Sequence, residues 1–116
     1  MGPAAEAVRA AILAFFLNLG YQPFEANALV GHAWLETRLT PCAVGGAAHF
    51  LFQWEGARLR RLARFARTSG CPPLATQLRF ADRELRTIAA YSCFWAATTE
   101  RAALLALRRG FGGGHC

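Results

Sequence analysis

An all-α fold, with at most a small β element near residues 42–54, is what this sequence predicts. Apolar residues recur at helical spacing through most of the chain. Prolines and glycines fall mainly between the periodic stretches, where they start and stop helices. Only the stretch from Cys42 to Gln53 lacks a helical period. With 116 residues, 54% hydrophobic and 17% charged, the chain has the composition of a globular domain with a core of its own. We expect one domain over residues 1–110 and a mobile glycine-rich tail over 111–116.

The first helix is expected over Pro3 to Asn18, because proline is tolerated in a first turn and Gly20 follows as a stop. Its apolar face of Val8, Ile12, Phe15 and Phe16 is wide, which predicts extensive burial. The second helix runs from Pro23 to about Thr37. Phe24, Ala28, Leu29, Ala33 and Trp34 set its spacing, and Pro41 blocks extension much beyond Arg38. Gly45-Gly46 reads as a turn, and Phe50-Leu51-Phe52 as a short strand or extended run. The third helix is placed at about Glu55 to Ser69, with Leu59, Leu62, Phe65 and Ala66 inward and arginines crowding the rest. The fourth starts near Pro73 on a stripe of Leu74, Leu78, Ala81, Leu85 and Ile88 and extends as far as Trp95. The fifth covers about Glu100 to Arg109, entered through Thr98-Thr99 and closed by Gly110.

Net charge is +6, and all 13 basic residues are arginine. Such a surface attracts polyanions, among them anionic cell-wall polymers. The arginine run Arg58 to Arg67 reads first as the solvated face of a helix. A nucleic-acid partner is not expected, since neither a helix-turn-helix nor an aromatic platform accompanies the charge. The longest apolar run, Ala10 to Leu17, is too short to span a bilayer. Glu6 sits where a signal peptide would be basic, so we read that segment as part of the fold. The cysteines at 42, 71, 93 and 116 lack Cys-x-x-Cys spacing. Three of them are expected to be buried thiols, with one disulfide allowed and its pairing open.

The chemistry centres on Glu36. It lies in the last turn of the second helix, ahead of Pro41 and an apolar-aromatic segment that carries a single amide, Gln53. Ionised carboxylates are poor core residues. An apolar setting and the free carbonyls of a helix end both favour the protonated form, so Glu36 is expected to act as a general acid. His32 lies one turn before it and makes an ion pair feasible. A metal site is not expected, because no third ligand is near, and no cofactor motif is present. Gln53 must find hydrogen-bond partners in its aromatic surroundings. Trp54 either joins the core or lines a groove. Gln77 and Glu84, one face apart on the fourth helix, are expected to brace helices.

The segment Glu36-Thr37-Arg38-Leu39-Thr40-Pro41-Cys42-Ala43-Val44, followed by Leu51-Phe52-Gln53, resembles the catalytic segment of lysozyme-like proteins related to goose-type lysozymes and lytic transglycosylases. The run Phe52-Gln53-Trp54-Glu55-Gly56-Ala57-Arg58 resembles, more specifically, that of the phage tail lysozyme family. Gln77-Leu78-Arg79-Phe80, Glu84-Leu85, Gly20-Tyr21 and Val30-Gly31 fit the same family. The resemblance covers about Gly20 to Leu85 and continues more weakly to Ala103. It implies a lysozyme-like helical domain that cleaves the β-1,4 bond between N-acetylmuramic acid and N-acetylglucosamine in peptidoglycan. Glu36 would be the catalytic acid. Thr37, Gln53, Trp54, Phe50 and Glu55 would be the substrate-binding candidates. It implies a monomer acting from a phage virion or in the bacterial envelope after delivery.

Thr37 stands where the family has serine and keeps the hydroxyl. His49-Phe50 replaces a Tyr-Gly pair, and glycine there would allow a saccharide close to the backbone. Phe50 either points into the groove and narrows a sugar subsite or turns into the core as a filler; the core is the expected place. A hydrolase would use a second carboxylate, for which Glu55 is the near candidate; a transglycosylase needs none. The alternative is a catalytically degenerate module that binds cell wall or serves a phage tail or secretion assembly structurally.

Overall fold

A computed structural model describes residues 1–111. Helices α1 (Pro3–Asn18) and α2 (Pro23–Thr37) precede a two-stranded antiparallel hairpin, β1 (Val44–Gly45) and β2 (Ala48–His49). Helices α3 (Gly56–Ala66) and α4 (Leu74–Thr87) follow. A 3₁₀ turn over Ala89–Tyr91 then leads to α5 (Ser92–Ala96) and α6 (Glu100–Phe111). The fold is mostly α with a minimal sheet, as the periodicity predicts. No described helix is long and apolar enough to cross a membrane.

Helix α2 is the axis of the molecule, packed along α6 and against α1. Ala26, Ala28, Leu29, Val30, His32 and Ala33 are all buried on it. Small residues there let the neighbouring backbones approach. Helix α1 is less buried than its apolar face suggests: Ile12 and Phe16 are inside, while Val8 and Phe15 are half-buried and Leu17 is exposed. It lies at the edge, where only one stripe meets the core.

Helix ends depart from expectation in three places. Helix α3 stops at Ala66 because Arg67 turns left-handed (φ 57°). Helix α4 ends at Thr87, where Ile88 becomes extended, and the stretch to Trp95 is a separate short turn and helix. Gly110 does not stop α6, which runs on to Phe111. It packs flush on Tyr91, whose ring a Cβ at position 110 would overlap. Thr99 Oγ1 accepts the Ala102 N–H at 3.1 Å, capping α6 as the Thr98-Thr99 pair predicts. The tail from 112 lies outside the described residues.

The expected strand at Phe50–Phe52 is not formed. The strands pair Val44 with His49 and Gly45 with Ala48. His49 then bonds reciprocally with Trp54, at 2.8 and 2.9 Å, around a tight turn over Phe50–Gln53. Phe50 and Gln53 both take left-handed conformations, φ 73° and 55°. A turn has no alternating faces, so Phe50, Leu51 and Phe52 are all buried together.

The cysteines are also corrected. Cys42 and Cys71 are exposed and joined in a disulfide, and Cys93 is disulfide-bonded too; no described cysteine is a free thiol. Gln77 reinforces the Cys42–Cys71 junction. Its Oε1 accepts the Leu51 N–H at 3.0 Å, and its Nε2 donates to the carbonyls of Pro41 (3.1 Å) and Pro72 (3.0 Å).

Candidate active site

Helix α2 brings Glu36 to the site. A reciprocal capping box starts the helix, with Gln22 N–H donating to Glu25 Oε1 at 2.7 Å and Pro23 in its first turn. At the other end Arg38 adopts a left-handed cap (φ 53°) and its N–H donates to Trp34 O at 2.9 Å. Leu39, also left-handed, plunges into the core at 2% exposure. The chain therefore turns away one residue after Thr37, before Pro41 is reached.

Thr37 fastens this end to the turn below. Its hydroxyl donates towards Leu51 O at 2.9 Å and Ala33 O at 3.2 Å, and accepts the Thr40 N–H at 3.3 Å. The hydroxyl is thus occupied by protein groups and ties the end of α2 to the Phe50–Gln53 turn.

Gln53 stands at the end of the Phe50–Gln53 turn. Its Nε2 donates to Phe50 O at 2.9 Å and Ala43 O at 3.3 Å, which ties the turn to the start of the hairpin. Its Oε1 lies over Gly45, where an added Cβ would sit 2.8 Å away. Only glycine at 45 admits this close approach.

Glu36, Gln53 and Glu55 line one open cleft of about 360 Å³, together with Ala48, Phe52, Arg58 and Arg108. The Glu36 side chain is 27% exposed, and Arg108 Nη1 donates to its Oε1 at 3.3 Å. The same nitrogen lies 3.5 Å from His32 Nδ1. His32 is fully buried and stacked on Phe52, with ring centroids 5.6 Å apart. Burial, then the Arg108 and Arg58 charges, lower its pKa to about 3. It is therefore neutral near pH 7, and its Nδ1 can accept from Arg108.

Two predicted site residues lie away from the cleft. Trp54 is wholly buried, and its Nε1–H donates to Glu84 Oε1 at 2.7 Å. It is a core residue and not a cleft wall, because its indole N–H finds its partner inside. Phe50 is 6% exposed and borders a separate cavity of about 180 Å³ with His49, Leu59 and Leu62. Glu84 also receives Arg58 through Nε at 2.8 Å and Nη2 at 2.7 Å, so one buried carboxylate joins the turn, α3 and α4. This fork–fork pairing orients Arg58 at the cleft.

Sequence reasoning missed Arg108 and undervalued Arg58. Arg58 had a signal, since it closes the Phe52-to-Arg58 motif. Arg108 had none, because it lies 72 residues from Glu36 and meets it only through the packing of α6 on α2.

No curated protein and no solved structure matches the chain significantly. Among known families, the phage tail lysozyme family matches residues 7–111, which takes in every residue of the cleft. With nearly the whole chain covered by that match, the protein belongs to the phage tail lysozyme family.

Proposed function

We propose that this protein is a peptidoglycan glycosidase that cleaves the bond between N-acetylmuramic acid and N-acetylglucosamine, with Glu36 as general acid. The observation that carries the reading is the placement of Glu36. It projects from the last turn of α2 into a cleft it shares with Gln53, within the matched family segment. Its Oε1 accepts from Arg108, while Oε2 has no partner among the described residues. Oε2 is the oxygen from which a proton can pass to the glycosidic oxygen as the bond breaks towards an oxocarbenium-like state.

Gln53 supports this role. Its amide N–H groups hold the turn, and Oε1 is left to accept from a sugar hydroxyl or acetamido N–H. Phe50 turns inward, so its replacement of the family's glycine does not fill the cleft. The product chemistry depends on Glu55 at the cleft. In a hydrolase it would activate water; in a transglycosylase the substrate's own hydroxyl attacks, with Glu36 as base. We favour the single-carboxylate route. The family fits action on the cell wall from a phage virion.

Digestion of purified peptidoglycan, with mass analysis of the fragments, tests the reading. Glu36→Gln should lower release by on the order of 10²-fold or more, while Glu55→Gln should leave it nearly intact. Anhydro ends would identify a transglycosylase and reducing ends a hydrolase. Release by Glu36→Gln at the wild-type rate would remove Glu36 from the mechanism. No release by the wild-type protein would leave a wall-binding or assembly module.

A further inference from the structure

Outside the cleft, a strongly charged concave surface lies between α3 and α4. Arg61 and Arg64, one turn apart on α3, face Arg83 of α4 across a cavity of about 330 Å³. Phe65 and Phe80 form its floor, with ring centroids 5.4 Å apart. The cavity continues into a second of about 290 Å³ that shares Arg61, Phe80 and Arg83 and extends to Thr87. Together they make an elongated groove.

All three arginines are exposed, and none has a carboxylate partner among the described residues. The acid at the edge of the groove, Glu84, is already occupied by Trp54 and Arg58. Three like charges gathered without a counter-charge repel each other, and an anion relieves that repulsion. Guanidinium groups match the paired oxygens of phosphate, and three of them along a groove suit a chain of phosphates better than one ion.

We propose that this groove binds a phosphodiester-linked, polyol-type polymer of the bacterial cell wall and anchors the protein beside its glycan substrate. The identity of the polymer rests on the cell-wall reading above; the anion site itself does not. Helix α3 links the two sites, since Arg58 lines the glycan cleft and Arg61, one turn later, lines the groove. Phe80 is 4% exposed and Phe65 half-buried, so the floor lacks the row of open aromatic faces on which successive bases of a single strand stack.

The test measures binding of the full chain to labelled poly(glycerol phosphate) by fluorescence anisotropy at several salt concentrations. Arg61→Gln/Arg64→Gln/Arg83→Gln is compared with Arg60→Gln/Arg101→Gln/Arg109→Gln, which removes the same charge elsewhere. Thermal melts establish that both variants fold. The groove variant should bind at least about tenfold more weakly, with a shallower salt dependence, and the control should change by less than about threefold. Equal loss in both variants would reduce the effect to diffuse surface charge and overturn the proposal. Tighter binding of single-stranded DNA than of the polymer, abolished by the groove variant, would overturn it in favour of nucleic acid. Glu36→Gln should bind the polymer as the wild type does. Loss of glycan cleavage and loss of polymer binding are therefore separate outcomes.

Discussion

At Phe50 two physical effects oppose each other. The side chain is buried, which stabilises, yet its φ of 73° is one that residues with a Cβ rarely adopt. Truncating a large buried aromatic costs about 3–5 kcal/mol. Glycine would recover roughly 1–2 kcal/mol of left-handed strain. Phe50→Gly should therefore destabilise by a net ~1–4 kcal/mol in denaturant unfolding and leave glycan cleavage within about twofold of the wild type. A gain of activity without loss of stability would place Phe50 at the substrate. Arg108 invites a different test. It touches both Glu36 and His32, so it holds the carboxylate in place. If misplacement of a catalytic group costs about 10–10² in rate, Arg108→Ala should lower kcat by that order with little change in KM. Arg108→Lys should restore part of it. An unchanged kcat in Arg108→Ala would show that the contact does not position Glu36.

At the scale of elements, the end of α2, the hairpin and the α3–α4 link form one connected unit. The disulfide between Cys42 and Cys71 closes a separation of 29 residues, and Gln77 bonds the backbone on both sides of it. A cross-link of that span contributes about 3–4 kcal/mol, chiefly by restricting the unfolded chain. Cys42→Ser/Cys71→Ser should lose stability of that order by thermal or denaturant unfolding. It should also loosen the Gln53 turn, seen as faster hydrogen exchange at the Leu51 amide. The double variant is preferable to a reductant, which would attack the disulfide at Cys93 as well. Full stability in the variant would mean that Gln77 alone secures the junction. The buried Gln77 and Glu84 brace elements, as their spacing on α4 suggests, and their partners are the turn residues Leu51 and Trp54.

The whole molecule carries a pH dependence through His32. Its folded pKa of about 3 lies below the ordinary value of 6.5. The unfolded chain thus takes up a proton that the folded one refuses, and stability falls as pH drops from 6.5 towards 3. Above 6.5 neither state is protonated there, and His32 contributes no slope. The full effect is about 3–5 kcal/mol. His32→Gln keeps an acceptor for Arg108 and removes the titration. Its unfolding free energy should change less between pH 6.5 and 5 than that of the wild type. Parallel slopes would assign acid unfolding to other groups.

Local interactions are what the sequence alone determines here. Helical periodicity marks the major helices, prolines open α1 and α2, and the family motif singles out Glu36 near the end of α2 before any packing is known. The tertiary structure decides whatever depends on distant partners. Phe50–Gln53 reads as a strand until His49 and Trp54 pair across it and force a turn. Trp54 is equally suited to groove or core until Glu84, 30 residues away, accepts its N–H. The cysteines show no pairing until α3 and α4 carry position 71 to position 42. Arg108 becomes part of the cleft only when α6 packs on α2. Periodicity and capping act over a turn of chain, whereas a site assembled from α2, a turn, α3 and α6 depends on burial that only the assembled core provides.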